Sequence, residues 1–212
     1  MITNGKERGS RFPSHSRCGS RMSQHFGSED FAIFYLQVKY LLSFRVIMTN
    51  TIHGNMSEVE LILLNNNNDK CTVYTIKFLG DEMSEFNKFV AKFREDSRLN
   101  ADYRAIIRYV EQIIERGALE RYFRNEGKMR DSVVALPALK SRLRLYALRL
   151  SDKIIILGNG GVKTTRTYEE DNLLQGYVVT LQKFEELLRS GVKNGSVVIT
   201  ENTIDADETF EL

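Results

Sequence analysis

At Gly117 the hydrophobic period of this chain changes from 3.6 to 2, and that change limits the folds open to it. Upstream of it, apolar residues recur at helical spacing. Phe86, Phe89, Val90 and Phe93 mark one stripe; Tyr103, Ile106, Ile107, Val110, Ile113 and Ile114 mark a second. Asp81 or Ser84 can cap the first helix, and the second is expected over 101–116 with Gly117 as its stop. Downstream the period is two. Residues 121–125, 132–136, 142–150 and 153–157 read as successive antiparallel strands, joined by turns at 126–131 and 137–141. Ahead of the helices, 71–79 is rich in β-branched and aromatic residues and predicts a strand, with a shorter one at 58–64 and a polar turn at 65–69. A last helix is expected over 181–190, capped by Thr180 and stopped by Gly191. Helices and strands come in runs and do not alternate. This predicts an α+β domain: an N-terminal strand and a helical hairpin packed on an antiparallel β-sheet, with a C-terminal helix.

Within that frame the segment 142–166, RLRLYALRLSDKIIILGNGGVKTTR, is the most distinctive. Strand alternation puts Arg142, Arg144 and Tyr146 on one face and Leu143, Leu145 and Ala147 on the other. Ser151-Asp152 marks the turn of a hairpin with one apolar face and one face of arginines and a tyrosine, a combination suited to phosphates. The formal net charge is only +2, yet 116–166 holds twelve Lys/Arg against four Asp/Glu. Beyond Gly195 there are five acids (Glu201, Asp205, Asp207, Glu208, Glu211) and no Lys or Arg. A basic body with an acidic tail points to a polyanionic partner and to screening by the tail; a solvated basic sheet face accounts for the same charges.

The 212 residues leave room for one well-cored domain with extensions. Residues 1–55 are expected to be disordered or to lie upstream of the native start, with Met48 and Met56 as alternative initiators. Residues 1–30 carry six Ser, four Gly and five Lys/Arg without periodicity. The apolar stretch 31–47 is 17 residues long and is broken by Lys39 and Arg45, short of the ~20 that a membrane span needs, and no clear signal-peptide pattern surrounds it. Residues 56–70 read as a linker with a short strand, 71–193 as the folded domain and 194–212 as an acidic tail. Two cysteines, Cys18 and Cys71, make no disulfide framework and suit a reducing cytoplasm. All three histidines, His15, His25 and His53, lie in the N-terminal quarter, so chemistry in the basic sheet would use no Ser-His-Asp, Cys-His or His-zinc arrangement. The run Ile154 to Thr165 imitates a nucleotide phosphate loop and fails twice: Val162 stands where Gly must precede the Lys, and Leu157 where the first Gly belongs. The glycines are instead expected to bend the chain at the sheet edge.

Lys163 and Arg166 follow that bend, while Lys128 and Arg130 lie on the turn before strand 132–136. In an antiparallel sheet these rims can converge with Arg142, Arg144 and Tyr146. Arginines, lysines and one tyrosine, without an acid cluster to hold magnesium, suit metal-free phosphodiester cleavage. The cations would stabilise the charge of the transition state, and Tyr or Lys would move a proton. The same cluster can bind RNA without cutting it, with Tyr146 stacking on a base.

Taken together, the strand, the helical hairpin, RYFRNEGKMRDSVVALP, RLRLYALRL, KIIILGNGGVKTTRT and the terminal helix resemble the RelE/ParE toxin superfamily, nearest its phage-derived, HigB-like branch, over 71–193. The resemblance implies a RelE-like fold and the toxin of a type II toxin-antitoxin system: a cytoplasmic, ribosome-dependent mRNA endoribonuclease. Its partners would be a cognate antitoxin protein and mRNA on the ribosome, with no membrane, metal or nucleotide cofactor. Cleavage would proceed by attack of the RNA 2′-hydroxyl on the adjacent phosphate. By position, the catalytic set would be Arg144, Tyr146, Lys128 and Lys163, with Arg124, Arg130, Arg142 and Arg166 on the RNA. The chain departs from the family pattern at Gly161, where an aromatic is frequent, and at Thr164, where a second lysine is usual. Alternatives within the resemblance are a ParE-like gyrase inhibitor and a catalytically inactive RNA-binding or structural relic.

Overall fold

The computed structural model describes residues 46–52, 55–67, 69–125, 132–137, 141–165 and 167–206. Its helices form where the apolar stripes predict them. Helix α1, Glu85–Phe93, is capped by Ser84, whose Oγ accepts from Asn87 N at 3.3 Å. Helix α2, Asn100–Arg116, stops at Gly117, which takes a φ of +98°. Strands β3 (Cys71–Phe78), β4 (Arg124–Asn125), β5 (Val133–Leu136), β6 (Leu143–Arg149) and β7 (Ile154–Val162) belong to a sheet that two further strands extend, β1 (Val46–Ile52) and β2 (Asn55–Asn67). Its order is β1-β2-β3-β7-β6-β5-β4. Every neighbouring pair is antiparallel except β3 and β7, which run parallel from Thr72↔Ile154 to Thr75↔Leu157. The chain leaves β3, makes α1 and α2, runs the β4–β5–β6 meander and returns beside β3. Parallel neighbours need a crossover of this kind.

The fold is mixed α+β as expected, but the central strands β6 and β7 have no solvated face. Leu143, Leu145, Ala147, Ile155 and Leu157 pack under α1 and α2. On the other side Tyr146, Leu148, Ile154 and Ile156 pack under Leu174, Val178, Leu181 and Phe184 of a long helix α3, Asn172–Asn194. The alternation of β6 therefore reports two buried faces. Helix α3 starts nine residues before the expected 181. Asp171 caps it, accepting from Leu173 N and Leu174 N. Thr180, expected as the cap, lies inside the helix and returns its hydroxyl to Gly176 O at 2.9 Å.

Other boundaries differ for local reasons. Residues 46–52, expected to lie outside the fold, pair with the first half of β2, from Ile52↔Asn55 to Val46↔Leu61. The asparagines of 65–67 continue β2 past a register shift, with Asn67 Nδ2 donating to Ile114 O at 2.9 Å. The strand expected at 121–125 is a single 3₁₀ turn, Glu120–Tyr122, followed by the two residues of β4. The expected acidic tail begins as a hairpin, β8 (Val197–Ile199) and β9 (Ile204–Ala206), which buries Val197 and Ile204.

The glycine run does not bend away from the sheet; it stays within β7. Leu145 faces Gly160 and Ala147 faces Leu157, so Tyr146 alone opposes Gly158 and Asn159 in a β-bulge. The backbones close so tightly beyond it that a Cβ on Gly160 would stand 1.9 Å from the Arg144 carbonyl oxygen. Gly158 and Gly161 likewise admit Leu181 and Leu174 of α3. Gly160→Ala must push β6 and β7 apart in a strand buried on both faces. We expect a loss of about 3 kcal/mol or more in urea denaturation, at the severe end for overpacking; an unchanged midpoint would refute the close approach.

Candidate nucleic-acid interface

Because helices cover both faces, the cations of β6 and β7 reach water at the ends of the sheet. Arg142 precedes β6 and Lys163 follows β7, and Lys163 N donates to Arg142 O at 2.7 Å, so the two residues are neighbours on one rim. Arg142 is exposed and Lys163 half-buried. Asp102 of α2 accepts from Arg142 N at 3.2 Å and fixes the backbone there. Arg124, exposed, begins β4 level with Ala135 and Tyr146, the middle of β6, and so stands away from this rim. Three strand spacings, about 14 Å, and a four-residue offset along the strands, about 13 Å, separate it from Lys163.

Arg144 does not share that exposure. It is 3% exposed, and its Nη1 donates to Ser141 O at 2.7 Å and Leu143 O at 2.9 Å. The guanidinium thus clamps the turn that carries Arg142. Tyr146 is fully buried beneath α3 and has no face on which a base could stack. Lys128, Arg130 and Arg166 lie outside the described residues. The flanks of the basic turn, Asn125 and Ser132, sit at the sheet end opposite Lys163; Arg149 N donates to Ser132 O at 2.9 Å there. Glu185 of α3 holds that flank, accepting from Ser132 N at 3.2 Å and Ser132 Oγ at 2.9 Å. The acidic hairpin is also tied to this far end: Lys153 pairs with Glu201 at 2.5 Å, and Ile204 N donates to Tyr74 OH at 3.0 Å.

A second polar group, which the sequence reading does not single out, lies near the rim where β3 and β7 part. Asn159, in the bulge, donates through Nδ2 to Glu85 Oε2 at 3.0 Å and accepts from Gly160 N at 2.8 Å. Glu85 Oε1 holds Lys88 Nζ at 2.5 Å, and Asp81 holds the same ammonium at 2.6 Å. Burial works against the charge on Lys88, but the bonds from Asp81 and Glu85 outweigh it and raise its pKa above the usual lysine value. Tyr177 of α3 approaches from the other face: burial and then the charge of Glu85 push its phenol upward. A glutamate directly after a serine cap, and an asparagine among glycines in an apolar strand, were the available signals.

Among the described residues no group of three or more His, Cys, Asp or Glu is placed to hold a metal, and no helix is long and apolar enough to cross a membrane. Cys71 is fully buried, and that burial pushes its thiol up to about 12. Comparison with protein-family models, curated proteins and solved structures finds no match to this chain.

Two predictions separate architecture from interface. Arg144→Ala should cost about 2 kcal/mol or more, because buried carbonyls lose a charged donor and the side-chain stem loses its packing. Arg142→Ala should stay within about 0.5 kcal/mol, as exposed positions do. Thermal melts of both variants decide this, and equal effects would contradict the assignment. For Cys71 the folded pKa lies above the unfolded one, so its contribution is present below the unfolded value of about 8.5. That contribution is lost as pH rises toward the folded value of about 12. Urea titrations from pH 8 upward should fall more steeply for the native chain than for Cys71→Ala; parallel curves would sink the claim.

Proposed function

We propose that this chain is the toxin of a type II toxin-antitoxin pair in the RelE/ParE superfamily, acting in the cytoplasm on mRNA at the ribosome as an endoribonuclease, with a cognate antitoxin protein as its partner. The observation that carries the RNA reading is the pairing of Arg142 with Lys163 on one rim. Two cations on adjacent strands lie about 5 Å apart in backbone terms, close enough to grip one phosphate or two successive ones. Arg142 supplies a planar fork and Lys163 a point charge. In the cleavage reaction the RNA's own 2′-hydroxyl attacks the adjacent phosphate. The rim stabilises the negative charge that builds on the phosphorus oxygens. Arg144 acts through the turn it clamps and does not touch RNA.

The burial of Arg144 and Tyr146 favours a second reading in the same frame, a chain that binds RNA without cutting it. Expression without antitoxin separates the possibilities. Growth arrest with mRNA cut on ribosomes, abolished by Arg142→Ala/Lys163→Ala, supports the nuclease. Arrest with gyrase-linked DNA damage supports a ParE-like gyrase inhibitor, and RNA binding without new mRNA ends supports the non-cutting binder. No arrest at any induction level would refute the toxin. In vitro, the double variant should lower the slope of log affinity against log salt by about two, one for each lost phosphate contact. Salt-independent binding by the native chain would overturn the phosphate-contact premise.

A further inference from the structure

Strands β3 and β7 pair only as far as Thr75 and Leu157 and then part. Outside the carboxyl ends of parallel strands, such a parting is a favoured place for ligands. Here the β-bulge delivers Asn159 into the notch, and the first turn of α1 delivers Glu85; the two side chains are bonded at 3.0 Å, and each residue is less than one-tenth exposed. From the other face Tyr177 brings an aromatic ring, its Cε2 4.0 Å from where a Cβ on Gly161 would stand. Gly161 is the cross-strand partner of Arg144, and Lys163 lies two residues further along the chain, about 7 Å at strand rise. The notch therefore combines a half-buried aromatic ring, a carboxylate and a carboxamide, with phosphate-binding cations within one nucleotide's reach.

We infer that this notch is the base-reading half of the RNA site and that it takes guanine. The inference rests on the RNA reading above and adds a base preference to it. Guanine alone among the four bases carries a ring N–H beside an amino group, two parallel donors that a carboxylate accepts together. Lys88 occupies one bond on Oε1 of Glu85 and Asn159 one on Oε2; a carboxylate has about four lone-pair sites, so both oxygens keep capacity. Tyr177 stacks against the base, and the neutral phenol keeps its proton because burial and Glu85 raise its pKa. Arg142 and Lys163 take the adjoining phosphates.

The test uses the full chain and six-nucleotide single-stranded RNAs, read by fluorescence anisotropy. One is all adenine, one carries a single guanine, and one carries inosine, which lacks the amino group, at that position. The guanine oligonucleotide should bind about tenfold more tightly than the adenine one, within the range of a bidentate base contact, with inosine between them. Glu85→Gln should bring the guanine-to-adenine ratio to about one. Tyr177→Leu, which keeps apolar bulk and removes the ring, should weaken both by about tenfold, and Tyr177→Phe should not. If Glu85→Gln fails to fold, the inosine series on the native chain still decides. Equal affinity of the native chain for guanine and adenine, with steep salt dependence, refutes the notch and leaves the RNA reading standing. No binding to any of the three refutes both.

Discussion

A strand covered on both faces leaves its charged side chains only its ends. That constraint governs β6 and β7, each buried between α1 and α2 on one side and α3 on the other. It divides two arginines that the sequence presents as equals. Arg142 stands before the first ladder position and is exposed; Arg144, two residues later, is inside the sheet. Once inside, a guanidinium must find acceptors, and Arg144 finds carbonyls of its own turn. The rim is thus assembled by the core: one arginine is spent on backbone so that the other is held in place.

Much of the helical framework was legible. The stripes of α1 and α2 keep a 3.6 period, Ser84 is one of the two caps the sequence offers, and Gly117 is a clear stop. The alternation of β6 was legible too, but its meaning was not. Arg-Leu-Arg-Leu-Tyr looks the same whether its second face meets water or a helix. What decides is α3, whose length was hidden because Thr180 reads as its cap. Glycines misled in the opposite direction in β7. A run rich in them signals a bend in isolation, yet here Gly158 and Gly161 seat α3 and Gly160 admits the β6 backbone. Those demands come from distant segments and leave no local trace.

The candidate site divides along the same line. Arg142 and Lys163 could be placed together from the hairpin alone, since strand register brings them level. Glu85, Asn159 and Tyr177 come from α1, β7 and α3, and only the parting of two parallel strands gathers them. Parallel pairing joins residues far apart in the chain, so no periodicity announces it. The two edges of the sheet differ for comparable reasons: the N-terminal hairpin extends one side by long strands, while the other ends in two residues of β4.

The bulge opposite Tyr146 has a consequence for how this strand can vary. Two residues of β7 count as one against β6, so the inward and outward rows exchange places beyond it. Ile154 and Ile156 belong to the α3 side before the bulge, and Gly161 belongs to it after. An even count separates the first two and an odd count the third. Loss of either bulge residue would restore one-to-one pairing with β6 and leave both halves of the strand on the faces they now occupy. The bulge is therefore the place where β7 can shorten by one residue, and homologous chains should tolerate a deletion at 158 or 159 far more readily than one elsewhere in the strand.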